Sequence, residues 1–423
     1  MTQGPTRRDI AAAAALSGLW AQKAFGGGMM SAAKFSRSGL TKLETTLKDH
    51  LARGSAPGFV ALVSCGEETH AFPMGTMTMD GGPPVQRDTI FRLASMTKPL
   101  TAAALMMLVE DGKLRLDEPV DRLTPELADR RVLKRIDGPL DDTVPANRPM
   151  TVEDAMTFRL GWGIVFAEGY PILAATADLQ GFGMPNPASP ITPDEWLQRL
   201  GKLPLMYQPG ERWLYTVGSN LQGVLVARAA GQPLDVFMQE RILAPLGMTE
   251  TAFWVPPEKR ARTITGYAPQ DGKLVLFDPP DGMYAKKPAF PAGDSGLVST
   301  ADDFLRFARF LRTGLAPDGR RLLNTASLKA MQTNHLTDAQ RKGGLDILCA
   351  GRGWGYGMGV VVETTPEGLT PGTYGWDGGF GTSWFNDPAS GLTAILLTQR
   401  VFDGPDPPQL HKDFRRAARA ALA

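Results

Sequence analysis

A serine and a lysine three residues apart, Ser95 and Lys98, stand where an extended run, Ile90 to Leu93, gives way to the helix-forming run Thr101 to Asp111. Residues i and i+3 of a first helical turn share a face, so hydroxyl and amine can meet. The helix N-terminus offers free N–H groups and a partial positive charge. That field lowers the proton affinity of a nearby lysine and favours an oxyanion beside it. A buried lysine without its proton can act as a base toward serine. Pro99 costs little this early, because first-turn N–H groups have no intrahelical partner. S-x-x-K is a two-letter pattern that a chain of this size shows by chance about once. A second instance, Ser31 with Lys34, lies in a loose N-terminal region. Only Ser95 has an extended run before it and a helix behind.

A serine nucleophile needs a base, and histidine is the usual one. The chain has 4: His50, His70, His335 and His411, none in a motif of its own. No G-x-S-x-G elbow occurs, which argues against an ordinary α/β-hydrolase. Gly293-Asp294-Ser295-Gly296 imitates a serine-protease signature without the all-β spacing such a protease needs. It reads as a tight turn before Leu297-Val298-Ser299 and a helix from Ala301. Lysine and tyrosine are then the candidate bases. Tyr215 follows an extended segment and precedes a helix, where its phenol can project into a cleft between polar or cationic neighbours. Its plainer reading is a core or rim aromatic.

The elements that must position these residues come from both ends of the chain. Leu40, Leu43, Leu47 and Leu51 recur at helical steps, giving an amphipathic helix over Phe35 to Leu51. Phe59 to Val63 reads as a buried strand, with Thr69 to Met74 as its hairpin partner. Leu116 to Arg148 is rich in charge and proline and shows no clear strand. Helices are expected from Thr151 to about Gly161, from Thr192, over Leu221 to Ala230 and over Leu234 to Leu243. Strand signals return at Gly353 to Val362, Gly375 to Phe385 and Leu392 to Thr398, and a helix over Leu410 to Ala421 follows. The expected fold is α/β (α+β): an antiparallel sheet flanked by helices and built from both chain ends, about 35–115 and 285–423. A mostly helical region, about 116–284, lies between.

Composition narrows the function. With 45 basic and 44 acidic residues the net charge is +1, and no basic patch calls for nucleic acid or an anionic membrane. Cys65 and Cys349 have no metal-ligand spacing, so neither a zinc site nor a disulfide scaffold is indicated, and no cofactor or metal is expected. Residues 1–30 differ from the rest. Arg7 and Arg8 precede a mildly apolar stretch too short to span a bilayer, as in a twin-arginine export signal. Export to the periplasm or medium is the expectation; a frayed cytoplasmic N-terminus is the alternative. Residues 31–423 are expected to form the catalytic domain, with a small-molecule ester as partner and no stable membrane insertion.

Five stretches occur in a telling order: Ser95-Met96-Thr97-Lys98; Tyr215 after Gln208-Pro209-Gly210-Glu211-Arg212-Trp213; Ile242 to Met248; Gly296 to Asp303; and Trp376-Asp377-Gly378-Gly379. In order and spacing they resemble the serine β-lactamase and penicillin-binding-protein superfamily, most of all class C β-lactamases and the related family VIII carboxylesterases. The resemblance runs from about Phe35 to the C-terminus. It implies Ser95 as acylated nucleophile, Lys98 as the group that helps remove its proton, and Tyr215 as the relay to the leaving group. It also implies an oxyanion hole from the Ser95 amide and the strand at Gly378 to Phe380. Loss of one such donor typically costs about 3 kcal/mol of transition-state stabilisation.

The departures bear on substrate. The family's Y-x-N would put asparagine at 217, where this chain has Val217; Asn220 falls nearby and suits the esterase variant Y-S-x-x-x-D better. The K-T-G triad is missing. Aligning glycines puts Asp377 at the lysine; aligning on Trp384 puts Trp376 there. Either way the cation that binds a β-lactam carboxylate is absent, and an aspartate would repel it. The expectation is a serine carboxylesterase acting on neutral esters through an acyl-enzyme. Trp162, Phe380 and Trp384 are expected to line the acyl pocket. β-Lactamase, D-Ala-D-Ala peptidase and acyltransferase are the enzymatic alternatives. A catalytically silent binding protein is the alternative of another class.

Overall fold

A computed structural model describes residues 34–423. The export-signal reading of residues 1–30 and the second S-x-x-K serine, Ser31, lie outside the described residues. No helix among the described residues is long and apolar enough to cross a membrane.

The centre is a 7-stranded antiparallel sheet. Its strands are β1 (Gly58–Cys65), β2 (Glu68–Gly75), β3 (Arg352–Trp354), β4 (Gly359–Val361), β5 (Tyr374–Gly378), β6 (Thr382–Asp387) and β7 (Leu392–Thr398), in the order β2-β1-β7-β6-β5-β4-β3. The N-terminal hairpin thus completes a sheet made mostly by the C-terminal part of the chain. β1 and β7 are buried along their whole length, which is why both read as unbroken apolar runs.

Alternation along these strands divides the core. Phe59, Ala61, Val63, Ala394 and Leu396 face two helices, α1 (Arg37–Ala52) and the C-terminal α5 (Gln409–Ala420), through Leu43, Leu47, Leu410 and Phe414. Val60, Leu62, Ile395 and Leu397 face the other way. There they join the main core with α2 (Lys98–Glu110), α3 (Val217–Ala230) and α4 (Ala301–Thr313). α4 starts at Thr300, whose hydroxyl accepts the Asp303 amide, and ends at left-handed Gly314.

Several elements differ from expectation, each for a local reason. The stretches 353–362 and 375–385 are not single strands but hairpins. Gly357 at φ +76° and Gly381 at φ +100° turn the chain, and a run of glycines hides such turns from a search for apolar alternation. The helix at Thr151 is short, Val152–Met156. The middle also carries two small hairpins: Arg131–Leu133 with Thr143–Pro145, and Gly266–Gln270 with Lys273–Asp278. They are short and partly exposed, and even the apolar run Leu274 to Phe277 is only four residues long, so the pattern is a weak strand signal.

Candidate active site

Ser95 lies in one 3-10 turn, Ala94–Thr97, and α2 begins at Lys98. A 3-10 turn has three residues, so i and i+3 eclipse and the lysine comes directly over the serine. The turn is held from two sides. Phe91–Arg92 pairs with Val298–Ser299, and the Leu297 amide donates to Thr97 Oγ1 at 3.1 Å. Thr382 Oγ1 of β6 donates to the Leu93 carbonyl at 2.8 Å. Ala94 sits at φ +46°, a left-handed conformation costing a residue with a Cβ about 1 kcal/mol, immediately before the serine.

Lys98 Nζ donates to Ser95 Oγ at 2.8 Å and to the Asp294 carbonyl at 2.9 Å. Its side chain is 1% exposed. Burial drives its proton affinity down to about 7, against an opposing pull from Asp294. Nζ also lies 4.4 Å from the centre of the Tyr215 ring. The Tyr215 phenol accepts a hydrogen bond from Trp376 Nε1 at 2.5 Å. Burial raises the phenol's pKa against the opposing influence of Ser95 and Trp376, so Tyr215 keeps its proton at neutral pH. Phe158, Trp213, Trp354 and Trp376 pack around the ring and fix it.

Asp294 was read only as part of a turn, and it is a hub. Its carboxylate accepts from Thr216 Oγ1 at 3.0 Å and Ser295 Oγ at 2.7 Å, and its amide donates to Asn220 Oδ1 at 3.2 Å. Asn220 therefore joins α3 to the turn that holds the lysine. Ser295 is 2% exposed with its hydroxyl committed to Asp294.

The β5–β6 turn approaches the serine closely. A Cβ on Gly378 would come within 2.2 Å of the Leu93 carbonyl oxygen. A Cβ on Gly379 would meet nothing, and Gly379 lines a cavity together with Ser95, Lys98, Tyr215, Trp376 and Phe380. The cavity measures about 350 Å³. Its outer wall is apolar, with Ile164, Phe166, Met184, Ile347 and Phe402. Phe166 and Met184 are 61% and 59% exposed. Of the three aromatics expected in an acyl pocket, only Phe380 is there. Trp162 is buried in the main core and donates to the Pro204 carbonyl, and Trp384 packs on Phe304 and Tyr374. None of the four histidines lines the cavity; His411 is pushed by burial to about 4, and its Nε2 donates to the Gly381 carbonyl of the β5–β6 turn at 3.3 Å.

Strand register separates the surroundings of 376 and 377. Trp376 lies opposite Trp384 and Asp377 opposite Ser383, so the two side chains leave β5 on opposite faces. Trp376 meets Tyr215. Asp377 reaches the cavity edge but is not a lone negative charge: Arg415 of α5 donates to it, Ser383 Oγ donates at 2.7 Å, and Arg352 Nη1 lies 3.6 Å away. Burial would raise its pKa, yet the two arginines hold it at about 2. The expected repulsion of substrate carboxylates by Asp377 therefore loses its basis.

A sheet covered by two terminal helices on one face and a helical body on the other, with a lysine-backed serine at their junction, is a β-lactamase-like fold. The chain belongs to the beta-lactamase family, whose model matches residues 43–419. It is 39% identical over 339 residues to Protein Rv1367c of Mycobacterium tuberculosis, covering 78% of this chain and 82% of that one. It is 31% identical over 396 residues to Esterase EstB of Burkholderia gladioli, covering 87% and 92%. Among solved structures, EstCE1, described as a hydrolase with promiscuous acyltransferase activity, superposes with a TM-score of 0.77 at 24% identity over 90% of this chain and 98% of its own.

Proposed function

We propose that the protein is a serine carboxylesterase working through an acyl-enzyme. The observation that carries this reading is the contact between Lys98 and Ser95, made by an amine whose burial brings its proton affinity near neutrality. Neutral Lys98 takes the Ser95 proton as Oγ attacks the ester carbonyl carbon. The resulting oxyanion is received by the amides of Ser95 and of the Gly378 to Phe380 segment, in which Gly379 is open to the cavity. Tyr215 gives its proton to the departing alkoxide and recovers one from Lys98. Water then attacks the acyl-enzyme with the proton transfers reversed. The names of EstB and EstCE1 support hydrolysis of esters. Neither Trp376 nor Asp377 supplies the lysine that β-lactam-handling members of the superfamily carry in this stretch, which disfavours a β-lactamase.

Transfer of the acyl group to an alcohol is the second reading. The exposed apolar wall at Phe166 and Met184 favours it, because such a wall holds an alcohol and discourages water. Turnover of p-nitrophenyl butyrate with and without added butanol tests both. Free acid as the sole product supports hydrolysis, butyl butyrate in excess supports transfer, and no turnover in wild type contradicts both.

A further inference from the structure

The cavity wall contains five charged side chains, and four have close partners. Lys98 bonds Ser95 and the Asp294 carbonyl; Asp294 is engaged by Thr216 and Ser295; Asp377 by Arg415 and Ser383; Asp403 by Arg400. Arg352 is the fifth. It opens β3, is 8% exposed, and among the described residues its guanidinium makes no hydrogen bond. Its one charged neighbour within 4.0 Å is Asp377 at 3.6 Å, a carboxylate already held more closely by Arg415.

Buried guanidinium groups normally use several of their five N–H donors. Here Nε is sealed off without a partner, whereas Nη1 and Nη2 are not sealed, and the residue lines the substrate cavity. Arg352 lines this cavity and also a smaller cleft bounded by Tyr374, Trp384 and Arg415, which has about 10 Å³ of free volume and no room for a ligand. An arginine keeps its charge under all working conditions and matches a carboxylate with paired N–H bonds. Ile164, Phe166, Met184, Ile347 and Phe402 make much of the surrounding wall apolar, and the carboxylate of Asp403 is paired with Arg400. A cation whose charge is not used up by close partners, beside an apolar wall, selects a ligand with a hydrocarbon body and one anionic end.

We propose that Arg352 is the anion-recognising residue of this cavity, and that the preferred esters carry a carboxylate on one arm. This rests on the esterase reading and narrows it to acidic esters, such as half-esters of dicarboxylic acids or esters of hydroxy acids. The carboxylate takes no part in bond making; it docks at Nη1 and Nη2 while Ser95 attacks the ester carbonyl.

The test uses twins that differ only in that charge. For the acyl arm these are the p-nitrophenyl half-ester of adipic acid and its methyl-capped diester. For the alcohol arm they are 4-carboxyphenyl butyrate and its methyl ester. In at least one pair the acid twin should have a kcat/KM about tenfold higher, carried by KM. Arg352→Met should erase that ratio, and Arg352→Lys should keep part of it. Equal twins in both pairs, or a preference that survives Arg352→Met, would overturn the proposal. If no ester is turned over, the esterase reading fails separately. The Arg352 proposal is then read by calorimetry on the Ser95→Ala protein, where monomethyl adipate should bind about tenfold tighter than dimethyl adipate, and equal binding would refute it.

Discussion

The indole N–H of Trp376 donates to the phenol oxygen of Tyr215 at 2.5 Å, across the gap between the sheet and the helical body. That bond ties the β5 strand to the segment that leads into α3. With the indole occupying the phenol oxygen as a donor, the phenol's own proton is left to point elsewhere.

Trp376→Phe keeps the aromatic packing against Tyr215 and Trp354 and removes the donor. One neutral hydrogen bond contributes about 1 kcal/mol. The variant should lose between about threefold and tenfold in kcat with the fold unchanged, measured by ester turnover and circular dichroism.

Gly378→Ala puts a methyl group onto the Leu93 carbonyl and the Thr382 hydroxyl, each 2.2 Å from the added carbon. Both atoms belong to the clamp between the serine turn and β6. Overpacking of this kind costs about 1–3 kcal/mol of stability. Turnover should fall about a hundredfold, because one oxyanion donor moves out of place. Gly379→Ala, whose Cβ points into open space, should leave the melting temperature near that of wild type.

Lys98 must be neutral to accept the serine proton, and its pKa lies at about 7. The kcat/KM of a neutral ester should therefore rise with pH through about 7 and then level off. The raised pKa of Tyr215 puts any loss from phenol ionisation above pH 10. A profile that falls across pH 6–8 would contradict Lys98 as the base.

Asp377→Asn leaves Arg352 and Arg415 buried with one counter-charge fewer. Removing one partner of a buried ion pair costs about 3–5 kcal/mol, so the variant should unfold at clearly lower denaturant. An unchanged midpoint would mean that the pairing carries no stability.

The core of the site was legible because its signals are local. Ser95 and Lys98 are one turn apart, and Tyr215 follows a recognisable entry segment. Asp377 against Trp376 was not legible, because a one-residue slip moves a side chain to the opposite face and only the pairing with Ser383 and Trp384 decides it. Trp162 and Trp384 were misplaced because a large apolar side chain reads alike in a core and in a pocket. Arg352, Phe166, Met184 and Phe402 come from short or irregular segments far apart in the chain, and no periodicity brings them together. Asp294 was masked by a protease-like tetrapeptide whose serine is buried.

Mass spectrometry of the protein after reaction with a fluorophosphonate tests the central claim most directly. One adduct should form, it should map to the peptide carrying Ser95, and Ser95→Ala should prevent it. An adduct on Ser295 or Ser31, or labelling that persists in Ser95→Ala, would contradict the account.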